Sequence, residues 1–299
     1  MPFSDPRTKA LILSYVKDWI IVIILTVGFL SIDFVEPFHR QFSLTDQGLF
    51  HPYAVHERVP TYLLVIISSI IPLVIITFIS LGIRRSLFDL HNGILGLLLS
   101  LSLTIMVTEV VKISIGMPRP DFIDRCRPYP GAVDPPYGLS NGSVCTQTDK
   151  AMMTDGFKSF PSGHSSMSFA GLTYLSLFLA GKLHIFDQRG HTYKSFIFVL
   201  PMVLATYIAT TRLEDYRHRP LDVTAGGAVG IVFAFFAYRQ YYPPLSHPQS
   251  HKPYSPRIPR LDSDDIRPIQ HGLTADFDLN NDSSRESVAS PDLEAIRVE

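Results

Sequence analysis

Charge of either sign is scarce in this chain, and neither sign is in clear excess. Lys and Arg number 26 and Asp and Glu number 27 among 299 residues, a formal net charge of −1 with a pI near 6.8. This balance gives no support to a nucleic-acid partner held by bulk electrostatic attraction. Charged residues make up 18% of the chain and the mean hydropathy is +0.19, values that are unusual for a soluble protein.

Other features are also missing. The first apolar run is followed by no secretory cleavage site and is too long for a signal-peptide core, so we interpret it as a signal anchor that stays in the protein. The chain also lacks the dense set of Asp and Glu that a two-metal site requires. We predict no cofactor, although on spacing alone His218, Asp222 and His164 could hold a metal.

Long apolar runs dominate the first 240 or so residues. Six have the length that a hydrocarbon core demands, and they lie near residues 18–35, 60–82, 93–115, 165–183, 193–211 and 221–238. Buried helices of a large soluble protein are the alternative, but runs such as LLVIISSIIPLVIITFISL have no polar stripe to face water. We predict an all-α, polytopic membrane protein with six transmembrane helices.

The composition changes sharply after Tyr242. Residues 243–299 are rich in Pro, Ser, Asp and Arg and have no sustained apolar period, so we predict a disordered cytosolic tail. The predicted organisation is a cytosolic segment at 1–17, a six-helix domain at 18–242 and the tail at 243–299.

Residues suited to chemistry concentrate in the third and fifth loops between the predicted helices. Two crossings separate these loops, so both lie on the same face of the membrane. Three stretches meet there, namely KISIGMPRP, FPSGHSS and TTRLEDYRHRPLDV. The candidate residues in them are Lys112, Arg119, Ser162, Gly163, His164, Arg212, His218 and Asp222.

Several of these residues are suited to binding an oxyanion. Lys112, Arg119 and Arg212 can supply charge-assisted hydrogen bonds, and an arginine fork matches two phosphate oxygens at once. The free N–H groups at the start of the fourth helix, near Ser162 and Gly163, form a second anion site. The pattern therefore predicts a receptor for a phosphoryl group where the bilayer meets water.

The two histidines are suited to transferring that group. Asp222, four residues after His218, can accept a hydrogen bond from one ring nitrogen and leave the other as a nucleophile. His164 then remains as a general acid. Each feature alone has an ordinary explanation, such as an interfacial anchor, a helix cap or a surface ion pair. Their convergence on one face favours the functional interpretation.

The three stretches together resemble the signature of the type 2 phosphatidic acid phosphatase superfamily (PAP2), which includes lipid phosphate phosphatases and is related to vanadium haloperoxidases. The resemblance covers about residues 15–240, and RPDFIDRC looks like the fungal diacylglycerol pyrophosphate phosphatase group. HERVP in the first loop also looks like the lipid phosphate phosphatases. Two positions depart from the usual pattern: Thr211 replaces a serine, and Met117 replaces a residue that is basic in many relatives.

The resemblance implies a helical core like that of PAP2 enzymes and vanadium haloperoxidases, and a metal-independent hydrolysis in two steps. His218 would attack phosphorus to give a phosphohistidine, with Asp222 orienting it, and His164 would protonate the leaving group and then activate water. The remaining candidates would hold the phosphoryl oxygens, namely Lys112, Arg119, Ser162, Gly163 and Arg212.

The implied substrates are membrane lipids that carry a phosphomonoester or pyrophosphate, such as phosphatidate, lysophosphatidate and diacylglycerol pyrophosphate. An isoprenoid-diphosphate or sphingoid-base phosphatase, or a lipid phosphotransferase, of the same superfamily remains open. A six-helix transporter is the non-enzyme alternative, but it would place ionisable residues at the bilayer midplane, and here they cluster at helix ends. A catalytically silent scaffold is disfavoured because every motif residue is present. The sequence does not indicate an oligomeric state.

The third loop suggests on which side of the membrane the site lies. It holds Cys126 and Cys145, the chain's two cysteines, which are disulfide candidates, and Asn141 in an N-G-S sequon, a glycosylation candidate. Basic residues near the N-terminus favour a cytosolic start, although the third and fifth loops are also basic. We therefore expect a lumenal or extracellular site in a vacuolar, endoplasmic reticulum, Golgi or plasma membrane.

Overall fold

Long helices form most of the described chain, which comprises residues 6–32, 34–186 and 191–258 of a computed structural model. The helices are α1 (Pro6–Ile32), α2 (Thr61–Val65), α3 (Ile71–Thr77), α4 (Leu87–Ile115), α5 (Phe122–Cys126), α6 (Lys150–Gly156), α7 (Gly163–Leu183), α8 (Thr192–Glu214) and α9 (Pro220–Tyr241). Two π-helical turns, Ile66–Ile70 and Phe78–Ile83, make α2 and α3 parts of one continuous helix, Thr61–Ile83. Within the described residues, β pairing is limited to isolated bridges.

Five of the helices in the described part of the chain are long and apolar enough to cross a membrane: Lys9–Ile32 of α1, the helix Thr61–Ile83, α4, α8 and α9. The protein is therefore a multi-pass membrane protein. The run predicted at 165–183 forms α7, which is not one of the five because it carries four serines. Its 21 residues span about 32 Å, close to the thickness of a hydrocarbon core.

The polar character of α7 follows from its central position. It packs against α4, α8, α9 and the helix Thr61–Ile83, and fourteen of its 21 residues are buried in protein. Its serines and threonine are therefore covered by neighbouring helices, several with hydroxyls bonded to backbone carbonyls. A central helix needs less apolar surface than one that faces lipid on most sides.

Glycines allow α9 to pack closely against α7. A Cβ atom at Gly226 would lie 2.5 Å from the carbonyl oxygen of Ser162, and one at Gly230 would lie 2.3 Å from that of Ser166. Since a side chain at either position would collide with backbone, these glycines permit the close approach typical of helix pairs in membranes. The contact brings the start of α9 beside the start of α7.

The third loop forms a folded layer next to these helix ends. Phe122, Cys126 and Phe157 of this loop are buried in a small hydrophobic cluster together with Phe42 and Leu49 of the first loop. Cys126 and Cys145 form a disulfide, and Phe42 pairs with Ser140 through an isolated bridge. The loop is therefore a structured unit that can position side chains.

Both ends of the predicted six-helix domain need revision. The first helix begins at Pro6 rather than near residue 18. Disorder was wrongly predicted for residues 243–258: Ser250 is buried, and the carbonyl of His251 accepts a hydrogen bond from Lys182 Nζ at 2.8 Å. These contacts are polar, so the sequence shows no apolar period that would predict them. A compact unit ends at Ile258, and the rest of the predicted tail, 259–299, lies outside the described residues.

Candidate active site

Most of the candidate residues meet around one cavity of about 290 Å³. It lies where the end of α4, the start of α7, the end of α8 and the loop before α9 come together. Six of the eight predicted residues line it: Lys112, Arg119, Gly163, His164, Arg212 and His218. Ser162 and Asp222 are buried and are not part of this lining.

The end of α4 is shaped by a glycine that no other residue could replace. Gly116 adopts a left-handed conformation with φ of 57°, and a Cβ there would lie 1.5 Å from the carbonyl oxygen of Phe38. Helix α4 stops at this point, so Lys112 occupies its last turn and Arg119 follows in the next segment. Lys112 donates to Glu109, and both side chains are about 10% exposed, so the ion pair holds the ammonium inside the cavity.

The start of α7 presents backbone N–H groups to the same cavity. Ser162 is the N-cap, and its hydroxyl accepts a hydrogen bond from the N–H of Ser165 at 3.4 Å. The first N–H groups of a helix have no acceptor within it. At Gly163, a Cβ atom would lie 3.1 Å from Lys112 Nζ, so glycine gives the ammonium room beside the helix terminus. This arrangement suits an anion.

His218 is held by the backbone of the third loop. Its Nδ1 lies 2.7 Å from the carbonyl oxygen of Ser159. A carbonyl can only accept, so we assign the proton of the neutral ring to Nδ1, which leaves the lone pair on Nε2. Burial and the positive charges of Arg119 and Lys112 hold the pKa of His218 well below its ordinary value of 6.5. The ring is therefore neutral and able to act as a nucleophile at neutral pH.

Asp222 does not contact His218 in the predicted way. Its Oδ2 lies 3.9 Å from His218 Nδ1, too far for a hydrogen bond. The same oxygen accepts from the Ser159 hydroxyl at 2.6 Å and from the N–H of Arg219 at 2.9 Å. Asp222 therefore contacts the side chain of Ser159, whose carbonyl faces His218. Sequence reasoning missed Ser159 because no local pattern connects residue 159 with residue 218.

Arg119 is fixed by a carboxylate that sequence reasoning also missed. Its Nη2 lies 2.7 Å from Asp155 Oδ1, and its Nε donates to the carbonyl of Asp155 at 2.8 Å. The other oxygen of Asp155 accepts from Arg125 Nη1 at 2.8 Å. Burial raises the pKa of Asp155, but the charges of Arg119 and Arg125 outweigh it and hold that pKa well below 3.8. Asp155 is therefore a permanent anion that positions Arg119.

Arg212 is positioned by two more acidic residues. Its Nη1 lies 3.0 Å from Glu57 Oε2, and its Nη2 lies 2.9 Å from Asp215 Oδ2. The Arg212 side chain is only 1% exposed, so these two partners fix the orientation of its guanidinium group. Glu57 belongs to the HERVP stretch of the first loop. The resemblance of that stretch to lipid phosphate phosphatases is the one sequence feature that could have indicated Glu57 as a site residue.

The cavity lining also includes apolar side chains. Four helices each contribute one: Phe29 of α1, Leu64 of α2, Ile105 of α4 and Met167 of α7. The lining therefore combines cations with apolar groups, and both suit a lipid with a phosphorylated headgroup.

Three predicted residues lie in the third loop and not in the cavity lining. Cys126 and Cys145 form the disulfide described above. Asn141 is exposed, and its side chain accepts a hydrogen bond from the N–H of Ser143 at 2.9 Å. Within residues 6–32, 34–186 and 191–258, no group of three or more His, Cys, Asp or Glu is placed to hold a metal ion.

A helical membrane protein with histidines and cations around an amphiphilic cavity belongs to a class that handles phosphorylated lipids. Residues 93–244 match the PAP2 superfamily. The chain is 38% identical over 244 residues to lipid phosphate phosphatase 2 of Arabidopsis thaliana, which covers 81% of this chain and 82% of that protein. It is 37% identical over 241 residues to diacylglycerol pyrophosphate phosphatase 1 of Saccharomyces cerevisiae, covering 79% and 83%. No solved structure matches it.

The matched segment contains the residues that line the cavity at its motif positions. The matched segment includes Lys112, His164, Arg212 and His218, and it extends from α4 through α9. The chain belongs to the PAP2 superfamily.

Proposed function

We propose that this protein is an integral-membrane, metal-independent lipid phosphate phosphatase that works through a phosphohistidine. The main support is the cavity itself, whose lining combines six motif residues with apolar residues from four helices. A lipid phosphate fits this division, because its headgroup needs cations while its chains need hydrocarbon. The relatives named lipid phosphate phosphatase and diacylglycerol pyrophosphate phosphatase support the same class of substrate.

In the first step, Nε2 of His218 attacks phosphorus and the bond to the leaving oxygen breaks. The hydrogen bond from Nδ1 to Ser159 keeps the lone pair on Nε2, and Asp222 holds Ser159 in place. His164, in its imidazolium form, gives the proton on Nδ1 to the leaving oxygen and becomes neutral. In the second step, His164 takes a proton from water as the water attacks phosphorus, which releases inorganic phosphate and restores His218.

Electrostatic stabilisation comes from groups that are fixed before substrate arrives. Lys112, Arg119 and Arg212 are each oriented by a carboxylate, from Glu109, Asp155 and Glu57 respectively. The N–H groups at the start of α7, where Ser162 is the cap and Gly163 the first residue, add donors. Preorganised donors of this kind need little rearrangement when charge develops on the phosphoryl oxygens.

Substrate choice within the class is tested by a panel. Purified protein in detergent micelles is given phosphatidate, lysophosphatidate, diacylglycerol pyrophosphate, an isoprenoid diphosphate and a sphingoid-base phosphate, each with excess EDTA. We expect phosphate release from the first three to be fastest and unchanged by EDTA, and vanadate to inhibit it. Activity lost on chelation and restored by magnesium would contradict the metal-free mechanism. Transfer of the phosphoryl group to an added alcohol would indicate a phosphotransferase.

The site is proposed to face the lumen or the exterior, with both termini in the cytosol. The Cys126–Cys145 disulfide and the exposed Asn141 support this orientation, because disulfides and N-glycans both form on that side. In sealed, right-side-out vesicles, a membrane-impermeant thiol reagent should label both cysteines after reduction and neither before. Labelling from the cytosolic side alone would reverse the topology.

A further inference from the structure

We propose that Glu57 is a positioning residue for the reaction: it holds Arg212 and supports the positive charge that His164 carries when it protonates the leaving oxygen. This proposal rests on the proposed function, because it assumes that His164 is the general acid. Nothing in the three motif stretches indicates Glu57, which lies in the first loop, more than a hundred positions before His164.

The first loop approaches His164 at two points. The carbonyl oxygen of Val59 lies 3.1 Å from His164 Nε2, and Glu57 Oε2 lies 3.9 Å from the same nitrogen. Because a carbonyl only accepts, Nε2 carries a proton, and Nδ1 is the nitrogen available to a substrate. The loop therefore sets which side of the imidazole can deliver a proton.

Glu57 also connects His164 to the arginines. Its Oε2 is 3.0 Å from Arg212 Nη1, and its Oε1 is 3.3 Å from Arg217 Nη2. The carboxylate is 26% exposed, whereas the side chains of Arg212 and Arg217 are 1% and 6% exposed. Removing it would leave nearly buried guanidinium groups with fewer partners, so their orientation depends on it.

The charges around His164 explain why a carboxylate is needed. Burial opposes a proton on this imidazole, and so do the charges of Arg212 of α8, Arg119 of the third loop and Lys112 of α4. His218 stands in the same cavity. Glu109 lines the cavity but is paired with Lys112. Glu57 is the carboxylate within 4 Å of the His164 ring in the described structure. Together with the charge of a bound phosphate, it favours the imidazolium form that can act as an acid.

The test compares leaving groups. An alkyl phosphate releases a strongly basic alkoxide that needs a proton, whereas 4-nitrophenyl phosphate releases a weakly basic phenolate that does not. We use kcat/KM, which reports the steps up to formation of the phosphoenzyme, for dodecyl phosphate and 4-nitrophenyl phosphate in the same micelles. Glu57→Gln should lose about 10²-fold on dodecyl phosphate, the low end for general-acid catalysis, and less than about threefold on 4-nitrophenyl phosphate.

Matched variants exclude a general effect of charge removal. Glu214 Oε2 lies 2.9 Å from Arg58 Nε in an exposed ion pair of the same region and does not line the cavity, so Glu214→Gln should retain activity on both substrates. Glu57→Asp, which keeps the charge, should recover part of the loss on dodecyl phosphate. Circular dichroism and thermal unfolding in detergent establish that each variant is folded.

Several results would overturn the proposal. If Glu57→Gln lowers kcat/KM equally on both substrates, Glu57 only maintains structure. If the change raises kcat/KM on both and lowers KM, the carboxylate only competes with the substrate for the anion site. His164→Ala is measured in parallel. If His164→Ala is sensitive to the leaving group and Glu57→Gln is not, the role of Glu57 fails and that of His164 stands. If His164→Ala is also insensitive, the general-acid assignment fails with it.

Discussion

At the scale of single residues, the orientation of His218, the proposed nucleophile, depends on one carbonyl, that of Ser159. Its neutral state depends on burial among cations. The carboxylate of Asp222 bonds Ser159 and lies 3.9 Å from His218.

Replacing His218 with Asn should abolish turnover. The amide can still donate to the Ser159 carbonyl, so the fold should survive, but no lone pair of comparable nucleophilicity remains. We expect phosphate release to fall by about 10⁴-fold or more. A rapid alkaline quench with radiolabelled substrate should trap phosphoenzyme in the parent protein and none in the variant. Substantial release by His218→Asn would contradict the assignment.

Ser159 and Asp222 should behave as one unit. Ser159→Ala removes the 2.6 Å hydrogen bond to Asp222, and Asp222→Ala removes that bond and the one from the N–H of Arg219. Each change should lower kcat/KM by about tenfold to a hundredfold, typical of losing a hydrogen bond to a charged group. The double variant should be no worse than Asp222→Ala alone. Additive losses would mean that Asp222 acts on His218 by another route.

The low pKa of His218 predicts a dependence of stability on pH. In the unfolded chain His218 takes up a proton near pH 6.5, whereas in the folded protein it stays neutral to much lower pH. As the pH falls below 6.5, the unfolded state is therefore favoured, and this group lowers the free energy of unfolding by about 1.4 kcal/mol per pH unit. Unfolding in detergent from pH 8 to 5 should show this extra loss in the parent protein and not in His218→Asn.

At the scale of helices, the contact between α7 and α9 decides whether the two histidines meet. The start of α7 carries His164, and the residues just before α9 carry His218. The backbones approach closely at Gly226 and Gly230, where any Cβ atom would collide with a carbonyl oxygen of α7. The distance between the two histidines therefore depends on helix packing and not on the motif residues alone.

Adding one methyl group at this contact should damage the site. Gly226→Ala would place a Cβ 2.5 Å from the Ser162 oxygen, so α9 must shift away from the cap of α7. We expect kcat/KM to fall more than about tenfold, since small displacements of catalytic groups are costly. Gly28→Ala is the control, because its Cβ would meet Met106 at an ordinary 3.4 Å. Parent-like activity of Gly226→Ala would show that the packing is looser than described.

At the scale of the whole molecule, the helical unit includes the segment 243–258. Arg257 Nη2 lies 2.6 Å from Asp18 Oδ2 of α1, and the N–H of Tyr254 donates to the carbonyl of Tyr241 at 2.9 Å. Lys182 of α7 bonds both Asp89 at 2.5 Å and the His251 carbonyl at 2.8 Å. These contacts link the segment to the middle of α1, the start of α4 and the ends of α7 and α9, and none of these residues lines the cavity.

Truncation at two points tests this boundary. A chain that ends at Ile258 should match the full chain in thermal midpoint and turnover. A chain that ends at Tyr242 loses the hydrogen bond from Lys182 to His251 and the ion pair of Arg257 with Asp18, so its midpoint should fall by about 3–8 °C, equivalent to one or two kcal/mol. Its initial turnover at low temperature should stay within about twofold, because the removed residues do not line the cavity. If the two truncated chains are equally stable, the folded domain ends at Tyr242 and not at Ile258.

Much of the site could be predicted because its chemistry lies in short stretches. Lys112, Arg119, Arg212 and the two histidines were identified from residue type and spacing, and they line one cavity. Glu57, Asp155 and Ser159 could not be found in this way. Each supports a residue distant in sequence: Ser159 and His218, for example, are 59 positions apart. Such pairs carry no local periodicity, so they become visible only when the helices are packed.

The sequence by itself determined the long apolar runs, the even number of crossings between the reactive loops and the residue types available to bind phosphate. These are properties of about twenty consecutive residues, or of counting, and they do not depend on distances between helices. Tertiary structure alone decided that Asp222 bonds Ser159 at 2.6 Å and stays 3.9 Å from His218. A hydrogen bond is lost over about 1 Å. Positions of that accuracy are set by the close packing of α7, α9 and the third loop.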